Sequence, residues 1–301
     1  MRRRWQWAAS LGLVATALLT GGLAAPSWMA SPAHATTTVI RNPLAPGDHV
    51  ITLKVGGQVR RLILHVPPGS TKVNRPLILV YHGALDTASN TISETDFEQV
   101  ANQHGQLVAF MQGYANTWNE GAGHTPAEQA NIDDVAYTSA AITKVEGFVR
   151  FNHAHIAAVG FSNGALMVED LGCRLAQRLA LIVPVEGELP VSVSATCAPA
   201  RPISVLEIHG TGDQAIPYAG GPFAGVGGGT TVLSATQSVA RWAALDGCSS
   251  TPTMRTPDPS YRLTTYSGCP KGISVALRTI TNGGHVWTAS IGEIVTQAIP
   301  R

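Results

Sequence analysis

The sequence predicts one α/β domain in which an antiparallel hairpin precedes a mainly parallel, doubly wound sheet. Continuous apolar runs such as Leu77–Tyr81 are typical of strands buried on both faces of a parallel sheet, and they alternate with helix-compatible segments. Residues 50–55 and 59–66 alternate between apolar and polar positions on either side of Gly56-Gly57, which predicts the hairpin. A chain of 301 residues can bury one sizeable core.

The N-terminus has the composition of a secretion signal. Three arginines at positions 2–4 precede an apolar run over residues 8–19, and Ala33-His34-Ala35 offers a small-x-small cleavage site. The apolar run is shorter than the about 20 residues that a membrane-spanning helix needs. We therefore predict export with cleavage after about Ala35, no stable membrane anchor, and a single domain over residues 36–301.

The charge balance argues against a nucleic-acid partner. Removal of residues 1–35 takes away three arginines and no acidic residue, so 20 basic and 19 acidic residues become 17 and 19, a formal charge of −2. The remaining sequence contains no basic run that would bind a phosphate backbone. We expect a monomer that acts on a small, uncharged molecule.

All four cysteines, Cys173, Cys197, Cys248 and Cys269, follow the predicted signal. An even number of cysteines in an exported chain indicates disulfides, and three pairings are possible, of which pairing between sequence neighbours is the simplest. A zinc site is the alternative, but the sequence has no C-x-x-C and no Cys/His cluster.

The remaining segments continue the alternation of strands and helices. We predict, in chain order, a helix over Phe97–His104, a strand over Leu107–Met111, a helix over residues 135–151, a strand up to Gly160, a helix ending near Arg178, strands over residues 180–185 and 203–208, a helix over residues 231–245 and a strand over residues 273–280. Asp133 and Asp134 are placed to cap the helix that follows them. The glycine-rich run over residues 220–229 is predicted to be a surface loop.

The residues Gly160-Phe161-Ser162-Asn163-Gly164 form a G-x-S-x-G motif between a predicted strand and a predicted helix. In that context the serine lies on a sharp turn, and the glycines allow strand and helix to approach closely. The N-terminus of the helix also brings N–H groups and a positive dipole end to the turn. The motif predicts that Ser162 is a nucleophile, whereas a simple Gly-Ser turn is the alternative.

A nucleophilic serine needs a base that takes its proton and a carboxylate that orients the base. His285 lies on a loop that follows the last predicted strand. The other histidine beyond Ser162, His209, lies at the end of an earlier strand and precedes the candidate acid, whereas the base should follow the acid in the chain. We therefore assign His285 as the general base and then the general acid.

Asp213 lies just past the strand over residues 203–208, where an orienting carboxylate belongs. Glu186 and Glu188 follow the strand over residues 180–185 and are the alternatives to Asp213. We expect the backbone N–H groups of Ala84 and Asn163 to form the oxyanion hole.

With these residues placed, the chain resembles the secreted polyhydroxybutyrate depolymerases and feruloyl esterases of the α/β-hydrolase superfamily. The similarity is carried by Val80-Tyr81-His82-Gly83, Trp118-Asn119-Glu120-Gly121, Ile132-Asp133-Asp134-Val135, Gly160-Phe161-Ser162-Asn163-Gly164-Ala165-Leu166-Met167, His209-Gly210-Thr211-Gly212-Asp213, Ile216-Pro217-Tyr218, Gly247-Cys248, Gly268-Cys269 and Gly284-His285-Val286-Trp287. The resemblance implies an α/β-hydrolase fold, a triad of Ser162, Asp213 and His285, and the local disulfide pairing Cys173 to Cys197 and Cys248 to Cys269.

The chain departs from the family at two positions near the substrate cleft. Thr288 follows Trp287 where the family often has proline, and Ala84-Leu85-Asp86 lacks the glycine or cysteine often found after His82-Gly83. The ester preference therefore does not carry over. Trp118, Tyr218 and Trp287 are candidates for lining the cleft, and ordinary packing is the alternative for each.

These observations lead to the hypothesis of a secreted serine esterase that hydrolyses carboxylic esters, either polyhydroxybutyrate-type oligomers or feruloyl or acetyl esters, through an acyl-enzyme on Ser162. No metal and no organic cofactor is expected. One alternative is an envelope acyltransferase that uses the same triad. Another is a catalytically inactive binding protein on the same fold.

Overall fold

A ten-stranded sheet forms the centre of the computed structural model, which describes residues 44–69, 75–122, 124–226 and 228–300. The predicted signal peptide, residues 1–35, lies outside the described residues. The described part of the chain falls within one compact unit. Among the described residues, no helix is both long enough and apolar enough to cross a membrane.

The strands, in chain order, are β1 (Gly47–Val55), β2 (Gln58–Val66), β3 (Leu77–Tyr81), β4 (Leu107–Met111), β5 (Ile156–Phe161), β6 (Leu181–Val185), β7 (Ser204–Gly210), β8 (Gly221–Gly225), β9 (Gly228–Val232), β10 (Pro252–Asp258), β11 (Tyr261–Tyr266) and β12 (Val275–Ile280). The helices are α1 (Ala88–Glu94), α2 (Phe97–His104), α3 (Pro126–Gln129), α4 (Asp134–Glu146), α5 (Asn163–Leu175), α6 (Val191–Thr196), α7 (Ala235–Leu245) and α8 (Ile291–Ala298).

The sheet has a parallel centre and antiparallel edges. Its strand order is β1-β2-β4-β3-β5-β6-β7-β12-β11-β10, and the strands from β4 to β12 in that order are parallel. The β1–β2 hairpin adds to β4 in antiparallel orientation at one edge, and β11 and β10 add to β12 in the same way at the other. This arrangement confirms the predicted fold class.

The continuous apolar strands divide their side chains between two cores, because successive side chains of a strand point to opposite faces. In β3, Leu77, Leu79 and Tyr81 join the core beneath α4, α5 and α7, whereas Ile78 and Val80 join the core beneath α1, α2 and α8. All five residues of β3 are completely buried. The helix layers therefore hold the strands rigidly, and the carboxyl ends of the parallel strands meet along one edge.

Several elements differ from the sequence prediction, among them the helix predicted over residues 135–151, which ends at Glu146. The predicted surface loop over residues 220–229 contains most of the β8–β9 hairpin, which forms a separate two-stranded sheet. The helix predicted over residues 231–245 begins only at Ala235, because Ser234 caps it and exchanges hydrogen bonds with Gln237 in a capping box.

Both disulfides join cysteines that are close in sequence. Cys173 on α5 is bonded to Cys197 at the end of α6, and Cys248 after α7 is bonded to Cys269 after β11. All four cysteines of the sequence are thus paired.

Candidate active site

Ser162 lies on a strained turn between β5 and α5. Its φ of 56° and ψ of −121° are unfavourable for a residue with a side chain. A Cβ atom on Gly160 would collide with the carbonyl of Gly164, and a Cβ atom on Gly164 would collide with the carbonyl of Tyr81. The two glycines are therefore needed for the close approach of α5 to β5 and β3, as the motif predicts.

The structure brings Ser162, His285 and Asp213 together. In sequence, Ser162 is 123 residues and Asp213 is 72 residues from His285. The Nε2 atom of His285 lies 2.9 Å from the Ser162 hydroxyl oxygen, and its Nδ1 atom lies 2.7 Å from Oδ2 of Asp213. If Nδ1 carries the proton that Asp213 accepts, Nε2 is free to accept the proton of the serine hydroxyl.

Asp213 is held as a carboxylate by a dense set of donors. Its Oδ1 atom accepts hydrogen bonds from the backbone N–H groups of Ala215 (2.7 Å) and Ile216 (3.0 Å). Burial by itself raises the pKa of Asp213, but hydrogen bonds with His209 and His285 and the Ile216 N–H outweigh burial and hold the pKa well below its ordinary value.

Two further side chains, His209 and Glu186, lie next to Asp213. The Nε2 atom of His209 lies 3.4 Å from Oδ2 of Asp213 and donates to the Ile216 carbonyl oxygen at 3.0 Å. Glu186, an alternative for the acid, instead accepts the Gly210 N–H with both oxygens, at 3.1 and 2.9 Å. Burial raises the pKa of Glu186 to about 9, so it is a neutral neighbour of Asp213.

The loop that carries Ala84 is fixed by His82, which is completely buried. His82 Nδ1 donates to the Gly83 carbonyl oxygen at 2.7 Å, and its Nε2 accepts the Gly113 N–H at 3.0 Å. Burial lowers the pKa of His82, so the ring is neutral and both nitrogens are used. Ala84 lines the same cavity as Ser162 and Asn163.

Comparisons with known proteins agree with this geometry. A profile of the phospholipase/carboxylesterase family matches residues 70–224, more than half of the sequence. The chain belongs to this family. The predictions of an α/β-hydrolase fold and of a carboxylic ester hydrolase are confirmed at the level of the family.

Individual relatives in this comparison are esterases. The chain is 32% identical over 234 residues to feruloyl esterase B of Piromyces equi, which matches 75% of this chain but 42% of that esterase, less than half of its length. It is 28% identical over 269 residues to the putative esterase NocK of Nocardia uniformis subsp. tsuyamanensis, covering 83% of this chain and 77% of NocK. The predicted resemblance to feruloyl esterases is confirmed.

The solved structure of an acetyl xylan esterase from Aspergillus awamori has the same fold. The TM-score is 0.60 at 13% sequence identity, and the match covers 83% of this chain and 98% of that esterase.

In this carboxylesterase-family chain a cavity of about 240 Å³ opens beside Ser162. We call it the Ser162 cavity, and its walls include Ala84, Glu120, Thr125, Asn163, Leu166, Ile216, Phe223 and Thr230. The β8–β9 hairpin forms one wall and α5 another. Sequence reasoning missed Glu120 as a site residue, although it belongs to one of the motifs that carry the family resemblance.

The prediction that Trp118 lines the cleft is wrong. Its side chain is completely buried, because its Nε1 donates to the His82 carbonyl oxygen at 2.8 Å and its ring packs against Tyr81. Tyr218 hydrogen-bonds Thr279, and Trp287 stacks on Phe161 with ring centroids 5.1 Å apart. Neither is among the described residues that line the Ser162 cavity, and their contacts with substrate stay predictions.

Among the residues that the structure describes, two groups of histidine and carboxylate side chains place possible metal-ligand atoms within 4.8 Å of one another. They are Asp48, His65 and Glu98, and Glu186, His209 and Asp213. Hydrogen bonds already occupy both nitrogens of His65 and the Nε2 atom of His209. His65 contacts Asp48 and Asn102 through its two nitrogens, and His209 donates to a carbonyl. That the enzyme needs no metal or cofactor stays a prediction.

Proposed function

We propose that this chain is an exported serine esterase that hydrolyses carboxylic esters through an acyl-enzyme on Ser162. The observation that carries the proposal is the continuous contact from Asp213 through the His285 ring to the Ser162 hydroxyl, with distances of 2.7 and 2.9 Å. Membership of the phospholipase/carboxylesterase family supports the same reaction class.

In the first half of the reaction, the Ser162 oxygen attacks the carbonyl carbon of the ester while His285 Nε2 takes the hydroxyl proton. The negative charge that develops on the carbonyl oxygen is stabilised by the backbone N–H groups of Ala84 and Asn163. Asp213 stabilises the imidazolium. When the C–O bond breaks, His285 returns the proton to the departing alcohol, and the acyl group remains on Ser162.

In the second half, a water molecule attacks the acyl carbonyl and gives its proton to His285. Collapse of this second tetrahedral intermediate breaks the bond to the serine oxygen, which recovers a proton from His285. The products are one carboxylic acid and one alcohol, and the enzyme is regenerated.

The size of the Ser162 cavity bears on the substrate. About 240 Å³ is below the about 300–1,000 Å³ of pockets for drug-sized ligands, so the cavity suits a small acyl group or one unit of an oligoester. Feruloyl, acetyl and hydroxybutyryl esters are therefore the proposed substrate classes, and the names of the related esterases support the first two.

Export is part of the proposal. The paired cysteines are typical of proteins that fold in an oxidising compartment. We propose that the mature protein begins after about Ala35 and acts as a monomer outside the cytoplasm.

A fluorophosphonate probe tests the nucleophile directly. We expect the native protein to be labelled and to hydrolyse p-nitrophenyl acetate and methyl ferulate, and we expect the Ser162→Ala variant to lose both properties. Ser250→Ala, at an exposed serine, is the matched control and should retain them. Labelling that persists in Ser162→Ala would contradict the assignment, and a native protein with no labelling and no hydrolysis would indicate an inactive binding protein.

A further inference from the structure

Glu120 is the acidic side chain in the wall of the Ser162 cavity, as far as the structure describes that wall. The residue is only 4% exposed. It follows Trp118 and Asn119, and Asn119 is fixed because its N–H donates to Asp134 Oδ2 at 2.8 Å. A salt bridge of 2.6 Å with Arg60 holds Asp134 in turn. The segment that carries Glu120 is therefore rigid, as a selective site requires.

Two buried polar atoms at this wall have no hydrogen-bond partner among the described residues. They are Oε2 of Glu120 and the side-chain amide nitrogen of Asn163. The other end of the Asn163 amide is occupied, because its Oδ1 accepts the Trp118 N–H at 2.9 Å. Both side chains line the Ser162 cavity, and buried polar groups are nearly always paired. An acceptor and a donor without a regular hydrogen bond in one cavity wall therefore indicate a ligand group able to bond both.

The charge of Glu120 decides which ligand group suits it. Burial raises the pKa of Glu120 to about 8, and the charge of Glu128 adds to that rise, while its own backbone N–H and the nearby Asn163 amide lower it. The carboxyl is therefore mostly neutral at pH 7. A neutral carboxyl beside a primary amide binds an uncharged group that both donates and accepts, and a hydroxyl is the simplest such group.

The position of His285 decides which part of the ester enters the cavity. His285 must protonate the departing alcohol, so the alcohol lies on the side of the imidazole. The described residues that line the Ser162 cavity include Ser162 and both proposed oxyanion-hole residues but not His285. The cavity therefore lies on the opposite side of the scissile bond and receives the acyl group.

We infer that Glu120 is a specificity-determining residue that, together with the Asn163 side chain, hydrogen-bonds a hydroxyl group on the acyl part of the ester. The hydroxyl oxygen accepts from the Asn163 amide, and its proton goes to the Glu120 carboxyl. An acyl chain without a hydroxyl leaves the two side chains with only their contact to each other and is disfavoured for that reason. This inference rests on the proposed esterase function.

Two matched pairs of substrates test the inference with the hydroxyl at two distances from the carbonyl. The pairs are ethyl 3-hydroxybutyrate with ethyl butyrate, and ethyl 3-(4-hydroxyphenyl)propionate with ethyl 3-phenylpropionate. We expect the native enzyme to prefer the hydroxylated member of at least one pair by about tenfold or more in kcat/KM. We expect Glu120→Leu to lose the preference and Glu120→Gln, which still donates and accepts, to keep most of it.

The control is Glu146→Gln. Glu146 is a partly exposed carboxylate at the end of α4 and lies outside the cavity wall. This variant should keep the native preference. Equal rates within both pairs in the native enzyme, or an unchanged preference in Glu120→Leu, would overturn the inference. Absence of hydrolysis for all four esters would overturn the esterase proposal as well, and so the two failures are distinguishable.

The pH dependence gives a second readout that does not depend on how well Glu120→Leu folds. Ionisation of Glu120 near pH 8 places a negative charge next to the site where the oxyanion forms, so kcat/KM of the native enzyme should fall above that pH. The isosteric Glu120→Gln should lack this fall. The titratable groups around Glu120 are Glu128 of α3, Asp134 of α4 and His124 of the same loop. The residues that α5 and the β8–β9 hairpin place in the cavity wall, among them Asn163, Leu166 and Phe223, do not titrate. Identical alkaline profiles for the native enzyme and Glu120→Gln would contradict the inference.

Discussion

Asp213 illustrates how one residue combines a structural and a proposed catalytic role. One carboxylate oxygen closes a turn by accepting the Ala215 and Ile216 N–H groups, and the other faces His285 and His209. Because the turn fixes the position of the carboxylate, the carboxylate in turn fixes the orientation of the imidazole ring towards Ser162.

Replacement of Asp213 by asparagine should reduce kcat by about 10³- to 10⁴-fold, because an amide nitrogen facing Nδ1 favours the wrong tautomer of His285. The protein should remain folded, since an asparagine oxygen still closes the turn. Hydrolysis of p-nitrophenyl acetate and a thermal unfolding scan measure the two effects.

Asp258→Asn provides the matched control. Asp258 also accepts the N–H of the residue two positions later, Ser260, at 2.8 Å, but it lies on an exposed turn between β10 and β11. Activity of this variant should equal that of the native enzyme. A loss in Asp213→Asn of less than about tenfold would exclude Asp213 as the orienting carboxylate.

Trp118 is the residue whose role the sequence misjudged, and its replacement by phenylalanine separates the two roles. The substitution removes the donor to the His82 carbonyl oxygen and leaves that buried oxygen unpaired. We expect the free energy of unfolding to fall by about 1–3 kcal/mol and KM to stay within about twofold of the native value. A large rise in KM without loss of stability would instead restore Trp118 as a substrate contact.

The positions of single residues could be predicted from the sequence only where a short motif marks them. Ser162, Asp213 and His285 each follow a strand within a short motif, so their positions along one sheet edge could be predicted from their neighbours in sequence. The burial of Trp118 arises from contacts with Tyr81 and His82 at the end of β3, and Glu120 shares the wall of the Ser162 cavity with residues of α5 and the hairpin. Such contacts join distant parts of the chain and leave no local pattern.

Among the elements, the strands of the parallel centre were the easiest to predict. The bounds of β3, β4 and α2 agree with the sequence prediction, because a buried apolar run or an amphipathic helix is a local pattern. The sequence predicts a loop at the β8–β9 hairpin because half of the residues in its two strands are glycine or proline, which are depleted in strands. Its pairing is instead supported by Val232 and Phe223, which pack with Leu166 and Ile216.

The two disulfides hold different parts of the scaffold, and this difference leads to a prediction. Their sequence separations of 24 and 21 residues are similar, so each should stabilise by about 3–4 kcal/mol through chain entropy. Cys173 and Cys197 are also buried at 6% exposure in the larger core, whereas Cys248 and Cys269 only border it. Replacing Cys173 and Cys197 by alanine should therefore lower the melting temperature more than replacing Cys248 and Cys269.

Thermal unfolding of the two double variants under non-reducing conditions measures this difference. The first pair links α5, the helix that Ser162 precedes, to α6, so its loss should also reduce kcat. The second pair serves as the control, because it lies beyond α7 and far along the chain from Ser162. Equal losses of stability in both variants would show that burial of the sulfurs adds nothing to the effect of loop closure.

At the scale of the whole molecule, the chain buries an unusual set of carboxyl groups behind the proposed triad. We call them the buried carboxyl cluster: Glu169, Glu186, Glu188 and Glu207. Burial raises the pKa of Glu169 to about 8 and that of Glu188 to about 10, and it raises the pKa of Glu207 well above its ordinary value. The cluster is therefore neutral in the folded protein at pH 7, which is why it fits inside an α/β core.

The buried carboxyl cluster makes the stability of the protein depend on pH. In the unfolded chain a glutamate ionises near pH 4.5, whereas Glu169 in the folded protein stays protonated until about pH 8. Between these values the folded state binds more protons than the unfolded state. The contribution of Glu169 to stability is therefore complete below pH 4.5 and is lost as the pH rises to about 8. Asp213 acts in the opposite sense, because its lowered pKa adds stability that is lost only in acid.

Urea unfolding at pH 6 and pH 8 should accordingly give a lower free energy of unfolding at the higher pH. In Glu169→Gln the decrease should be smaller, by up to about 1.4 kcal/mol per pH unit, because the variant no longer takes up that proton on folding. The glutamine oxygen can still accept the Trp242 indole N–H that Glu169 accepts at 2.5 Å, so the packing is kept. Glu146→Gln, at the partly exposed end of α4, should retain the native slope. If Glu169→Gln and Glu146→Gln showed the same dependence on pH, Glu169 would be ionised in the folded protein and the argument for a neutral core would fail.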